Sequence, residues 1–111
     1  MKRDNSLFAS PDLTAKSAAL GEAIAAARIA RNLSRKDFAE RANISPSTLV
    51  RIERGDISVN FLAWMQAFER AGLLALLQPV ADLRNDALGE ARRKAESRVR
   101  PRKPAANKHD F

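Results

Sequence analysis

The sequence predicts an all-α fold, a compact bundle of about five helices with a basic C-terminal extension. Three observations lead there. Ala and Leu are abundant, Tyr is absent and β-branched runs are few, a composition of good helix formers. Ser34, Ser45 and Asn60 each stand just ahead of a segment whose apolar residues recur at helical spacing, and Ser10-Pro11-Asp12 is a further start signal. Asn32, Asn43, Gly55 and Gly72 stand where such segments stop, and these residue types tolerate a left-handed backbone best. At 111 residues the chain is one small domain with tails. The expected division is an N-terminal arm over 1–14, a helical domain over 15–83, and a C-terminal helix with a disordered basic tail over 84–111.

In the arm, Leu7, Phe8 and Leu13 can staple the chain to the body. The first helix is expected from about Ala15 to Asn32. Its apolar stripe runs Leu20, Ile24 and Ala27, and ends where Arg31 takes the next step on that face. Gly21 either weakens this helix slightly or permits close packing. Arg28, one turn beyond Ile24 and flanked by Ala27 and Ile29, points toward the bundle.

Two short helices follow. Ser34 caps the first, and Phe38, Ala39 and Ala42 share its inner side. Asn43 ends it. Ser45 caps the second, with Pro46 at the first helical position, where a missing N–H costs nothing. Leu49 and Ile52 lie on its inner face, and Gly55 ends it. Helices this short cannot bury enough surface alone, so they pack steeply on others as a helix-turn-helix with a compact turn. The outer face of the second then carries Pro46, Ser47, Thr48, Val50, Arg51 and Arg54. Hydroxyls beside guanidinium groups suit the floor of a DNA major groove, where Arg pairs bidentately with guanine. An ordinary solvated helix face is the bland alternative for those residues taken by themselves.

Asp56-Ile57-Ser58-Val59 is a loop, and Asn60 opens a helix from Phe61 to about Ala71. Phe61, Met65 and Phe68 share a face with Leu62 and Trp64 beside it, and this face is expected to be core. A ligand pocket built on Trp64 is the minor alternative. Leu73, Leu74, Leu76 and Leu77 make a short helix more apolar than one buried face requires, which points to a subunit interface. Pro79 interrupts. A last helix starts near Asn85 or Asp86, with acidic residues at its front and basic ones behind, as the helix dipole favours. From Val99 onward Pro101, Pro104 and scattered Lys and Arg read as disordered.

The segment from Leu20 to Gly72 resembles the lambda-repressor/Cro-type (XRE) helix-turn-helix family. The residues that carry the resemblance are Leu20-Gly21 with Ile24, Arg28, Leu33-Ser34, Phe38-Ala39, Ile44-Ser45, Ser47-Thr48-Leu49 and Ile52-Glu53-Arg54-Gly55. It covers about half the chain. Arg35 stands where the family often has Gln, which leaves a phosphate contact possible. Asn43 stands where Gly is usual, and it is compatible with the turn. The resemblance implies a partly buried ion pair of Arg28 with Glu53. It also implies a homodimer on double-stranded DNA, with the second short helix in the major groove. Ser45, Pro46, Ser47, Thr48 and Arg51 are then the base-reading candidates, and Arg35, Lys36 and Arg54 the phosphate-binding ones. Arg51 is the leading candidate for a guanine, since no carboxylate lies three or four residues from it. The interface is expected at Leu73, Leu74, Leu76 and Leu77. The layout of the C-terminal part, Leu-Leu-x-x-Leu, an Asp-containing turn with Gly89, then an Arg-rich tail, is similar to DNA-binding regulators encoded beside HipA-type kinase toxins. That second resemblance rests on layout and a few residues, and it makes a toxin protein a candidate partner.

The net charge of +7 is unevenly placed. Residues 1–91 hold 12 Lys and Arg against 11 Asp and Glu, whereas residues 92–111 hold 8 against Glu96 and Asp110. The tail is therefore a polycation, and a non-specific nucleic-acid binder driven by it is a competing reading. With no Cys there is no disulfide framework or thiolate metal site, and His109 is alone in a polar tail. Enzyme chemistry lacks its parts: there is no phosphate-cradling Gly loop and no carboxylate cluster with an acid/base partner. Neither a cofactor nor a metal is expected. Met1-Lys2-Arg3-Asp4-Asn5-Ser6 leads into no apolar targeting core, and no apolar run approaches membrane-spanning length, so a cytoplasmic location away from membranes is expected.

Overall fold

The computed structural model describes residues 6–99. The expectations for Met1 to Asn5, for the tail prolines Pro101 and Pro104 and for His109 therefore lie outside the described residues. The described chain divides into two compact units after Leu76. This division falls seven residues before the expected boundary after Leu83.

In the first unit, four α-helices start and stop by local chemistry. Helix α1 (Pro11–Ala30) begins with the Ser10 hydroxyl accepting the Leu13 N–H at 3.0 Å. The Ser10-Pro11 signal thus acts fully, and the helix starts four residues before the expected Ala15. Helix α2 (Arg35–Ala42) is capped by Ser34, helix α3 (Pro46–Glu53) by Ser45, and helix α4 (Phe61–Arg70) by Asn60. Each cap stabilises its helix by about 1 kcal/mol. The stops are equally local. Asn32, Asn43, Gly55 and Gly72 all have positive φ. Past each, the next residue's N–H reaches back to a carbonyl five residues earlier: Leu33 to Arg28, Ile44 to Ala39, Asp56 to Arg51 and Leu73 to Phe68.

Helix α1 packs on α3, while α2 packs on both α3 and α4. Ile24, Phe38, Leu49 and Ile52 are the large side chains fully buried at the centre, with Ala39, Ala67 and Ala71 around them. Two expected faces are corrected. On α1 the buried row is Ser17, Gly21, Ile24 and Arg28, with Leu20 and Ala27 half-buried at its edge. A Cβ on Gly21 would run into the backbone carbonyl oxygens of Ile52 and Glu53, so Gly21 permits close packing. On α4 the buried row is Ala63, Ala67 and Phe68; Phe61 and Leu62 are 76% and 66% exposed. Ala63 and Ala67 are small, and α4 packs against α2. Phe61, on the first turn, is left outside. Trp64 and Met65 are half-buried, and Trp64 tilts against Phe68 with ring centroids 5.9 Å apart. Leu13, Leu20, Ile57, Phe61, Trp64 and Met65 line an open apolar groove of about 380 Å³ between α1 and α4.

The Leu-rich segment forms a 3₁₀ turn, Leu74–Leu77, with Leu74 and Leu76 exposed. In the second unit, Pro79 lies in the first turn of α5 (Gln78–Ala81) and so begins a helix instead of interrupting one. A 3₁₀ turn, Leu83–Asn85, and α6 (Ala87–Val99) follow. Asn85 donates to the Pro79 carbonyl at 2.7 Å, and Arg93 to the Leu83 carbonyl at 3.0 Å. Helix α6 runs to Val99, so the basic residues 92–98 lie within it, behind Glu90 in its first turn. Among the described residues no helix is long and apolar enough to cross a membrane.

Candidate nucleic-acid interface

The candidate interface is the outer face of α3, and three devices fix that helix. Leu49 and Ile52 anchor its inner face with no exposed surface. Gly21 lets its last turn lie directly on α1. An ion cluster ties down its end. Arg28 donates from Nε to Glu53 Oε2 at 2.7 Å and from Nη2 to Oε1 at 3.3 Å, while its Nη1 donates to the Leu33 carbonyl at 2.9 Å. Arg35 donates from Nε to Glu53 Oε1 at 2.9 Å. Glu53 thus joins α1, α2 and the connection between them to α3. Arg35, expected only at phosphates, spends one donor on this cluster, yet its side chain remains 54% exposed.

The outer face of α3 starts with three hydroxyls. Ser45 Oγ accepts the Thr48 N–H at 3.1 Å and donates to Thr48 Oγ1 at 2.7 Å, and it lies 3.2 Å from Ser47 Oγ. Ser45, Pro46 and Ser47 are exposed and Thr48 is half-buried. Lys36 and Arg54 are exposed on α2 and at the end of α3. Val50, expected on the outer face, is half-buried and lines a depression with Ala25, Ala26 and Ile29 of α1.

Arg51 differs most from expectation. Its Nε donates to Asp56 Oδ2 at 2.8 Å and its Nη2 to Ser58 Oγ at 2.7 Å. Asp56 Oδ1 accepts both the Ser58 N–H, at 2.9 Å, and the Ser58 hydroxyl, at 2.6 Å. Hydrogen bonds from the Ser58 hydroxyl and then from the Arg51 guanidinium hold the Asp56 carboxyl down at about 2, below its usual 3.8. A carboxylate does accompany Arg51, then, although none lies three or four residues away. The missed signal was Gly55. A left-handed residue that ends a helix folds the following residue back over the last turn, and here the Asp56 N–H bonds the Arg51 carbonyl. An acidic residue right after such a glycine is delivered to the side chain one turn earlier.

This is the geometry of a helix-turn-helix. Residues 24–63 match the helix-turn-helix family model, a span that contains α2, α3 and the turn between them. Residues 24–63 thus form a helix-turn-helix domain of the XRE type, a family of DNA-binding domains. No curated protein and no solved structure matches the chain.

Proposed function

We propose that this protein is a sequence-specific transcriptional repressor of the cytoplasm, acting as a homodimer on a pseudo-palindromic operator. The observation that carries the reading is the outer face of α3. A cluster of hydroxyls and one guanidinium stand on a helix immobilised from below by Leu49, Ile52 and the Glu53 ion cluster. In this reading Ser45, Pro46, Ser47, Thr48 and Arg51 approach base edges, and Arg35, Lys36 and Arg54 hold phosphates. Selection of bound duplexes from a random pool at near-physiological salt tests it: a recovered palindromic consensus is expected, and a pool with no preferred sequence would refute it. Arg51→Ala should then cost about 1–3 kcal/mol on the selected site and relax preference at one base pair. Equal loss on selected and scrambled DNA would make Arg51 a phosphate contact.

Leu73, Leu74, Leu76 and Leu77 are the proposed dimer interface, setting half-sites about one helical turn, roughly 34 Å, apart. The exposure of Leu76, 71%, supports this, because so large an apolar side chain is better buried. Leu74→Asp combined with Leu76→Asp should give a monomer that binds DNA weakly, since neither side chain belongs to the buried core. Light scattering checks this, and a wild-type monomer at micromolar concentration would rule the dimer out. The second reading, an antitoxin of a HipA-type toxin–antitoxin pair that represses its own operon, draws on the cationic residues 92–108. It requires a stable complex with a toxin protein in the absence of DNA.

A further inference from the structure

We propose that Asp56 and Ser58 are specificity-determining positioning residues, which lock the side edge of the Arg51 guanidinium and leave its end fork to meet a guanine. The inference rests on the base-reading role given to Arg51 above. Its geometric ground is the pattern of donors. Nε and Nη2 share one edge of the guanidinium, and that edge is taken by Asp56 Oδ2 at 2.8 Å and Ser58 Oγ at 2.7 Å. What remains is the fork formed by Nη1 and the outer hydrogen of Nη2. Two parallel donors of this kind match guanine O6 and N7.

The lock is closed on itself. Ser58 accepts from Arg51 and donates to Asp56, and Asp56 Oδ1 also holds the Ser58 backbone N–H. The loop therefore cannot release the carboxylate without breaking its own turn. Asp56 stays ionised throughout the neutral range, because its pKa lies at about 2. An unrestrained Arg on a helix surface must lose rotamer freedom when it docks on a base; here the loss has already occurred on folding. A carboxylate at this place also lowers the attraction of Arg51 for phosphates anywhere on the duplex. The pair thus exchanges general affinity for discrimination at one base pair.

The test uses the full-length chain and its Arg51→Ala, Asp56→Asn, Ser58→Ala, Ser58→Thr and Arg51→Ala/Asp56→Asn variants. The probes are the best duplex the wild type recovers from a random pool, its single-base-pair variants, and a scrambled duplex. Thermal melts followed by circular dichroism show that each variant is folded. Asp56→Asn keeps an oxygen for the Ser58 N–H, and Ser58→Ala leaves the Asp56–Arg51 pair in place, so neither needs to disturb the fold. Both should lower discrimination by about 3- to 10-fold at the G·C pair that Arg51→Ala also affects, the freedom regained by one long side chain. Binding to scrambled DNA should be unchanged or tighter for Asp56→Asn. Ser58→Thr should restore the wild-type ratio, and Asp56→Asn should add nothing to Arg51→Ala. Unaltered discrimination in Asp56→Asn and Ser58→Ala, beside a loss in Arg51→Ala, would overturn the inference and leave the base-reading role standing. A uniform loss on every duplex would also overturn it. If Arg51→Ala itself changed no preference, the base-reading role would fall, and this inference with it.

Discussion

Glu53→Ala is expected to destabilise the first unit by about 3–5 kcal/mol, the cost of stranding a buried charge. The Glu53 side chain is 4% exposed and accepts hydrogen bonds from two arginines. Without it, the Arg28 guanidinium stays enclosed between α1 and α3 with the Leu33 carbonyl as its remaining partner. Domains of this size hold only about 5–15 kcal/mol in total, so a large share of the stability disappears. The two arginines should respond unequally. Arg28 is buried, and its loss would leave Glu53 held only by Arg35, so Arg28→Ala should be costly too. Arg35→Ala removes an exposed partner, and exposed pairs contribute about 0–1 kcal/mol. Replacing both buried partners, as in Arg28→Met with Glu53→Met, should recover much of the loss, because no charge is then left unpaired. Urea unfolding followed by helical ellipticity measures all four. A Glu53→Ala penalty no larger than that of Arg35→Ala would mean that the cluster does not hold α3.

Why some of this was legible in sequence and some not follows from the range of the forces. Helix starts and stops are set within a few residues, so Ser34, Ser45, Asn60, Asn43, Gly55 and Gly72 could be read directly. Even the early start of α1 was written in Ser10 and Pro11. The buried faces were less legible. Counting large apolar residues favours Leu20 on α1 and Phe61 on α4, but burial goes to rows that contain small residues, Gly21 on one helix, where the backbones of α1 and α3 approach, and Ala63 and Ala67 on the other. Residue size speaks for apolar payload, whereas close approach is a property of two helices at once. The lock on Arg51 was missed for a related reason. Helix-surface pairing looks three or four residues away, and Asp56 arrives from five residues on through the turn made by Gly55. The hydroxyl cluster and the exposed arginine could be placed on the outer face because spacing sets them opposite the buried Leu49 and Ile52, whereas Val50, on the flank of that face, meets α1, which spacing within α3 does not reveal.

The glycine that makes this turn should show the other large effect. Gly55→Ala is expected to cost about 2–5 kcal/mol, from left-handed backbone strain of about 1–2 together with overpacking of about 1–3. Gly55 has φ of +81°, and a Cβ there would stand 2.6 Å from the Cα and 2.8 Å from the N of Ala18. These are backbone atoms of α1 and cannot swing aside. The contact is reciprocal, since Gly21 of α1 lies under the carbonyls that end α3. Helices α1 and α3 therefore meet backbone to backbone on both sides, and any side chain inserted there must push α3 away. Gly72 separates the two contributions. It too is left-handed, with φ of +76°, but a Cβ there would meet only Arg31 Nη2, at 3.0 Å, the far end of a flexible side chain. Gly72→Ala should thus carry the strain alone, about 1–2 kcal/mol. Asn is the sharper probe, because this chain already uses Asn32 and Asn43 at positive φ. Gly72→Asn should be nearly neutral, while Gly55→Asn should remain severely destabilised and bind DNA poorly, its α3 displaced from α1. Urea unfolding of the four variants decides the matter. Equal behaviour of Gly55→Asn and Gly72→Asn would show that backbone conformation, and not the close approach of α1 and α3, is what Gly55 provides.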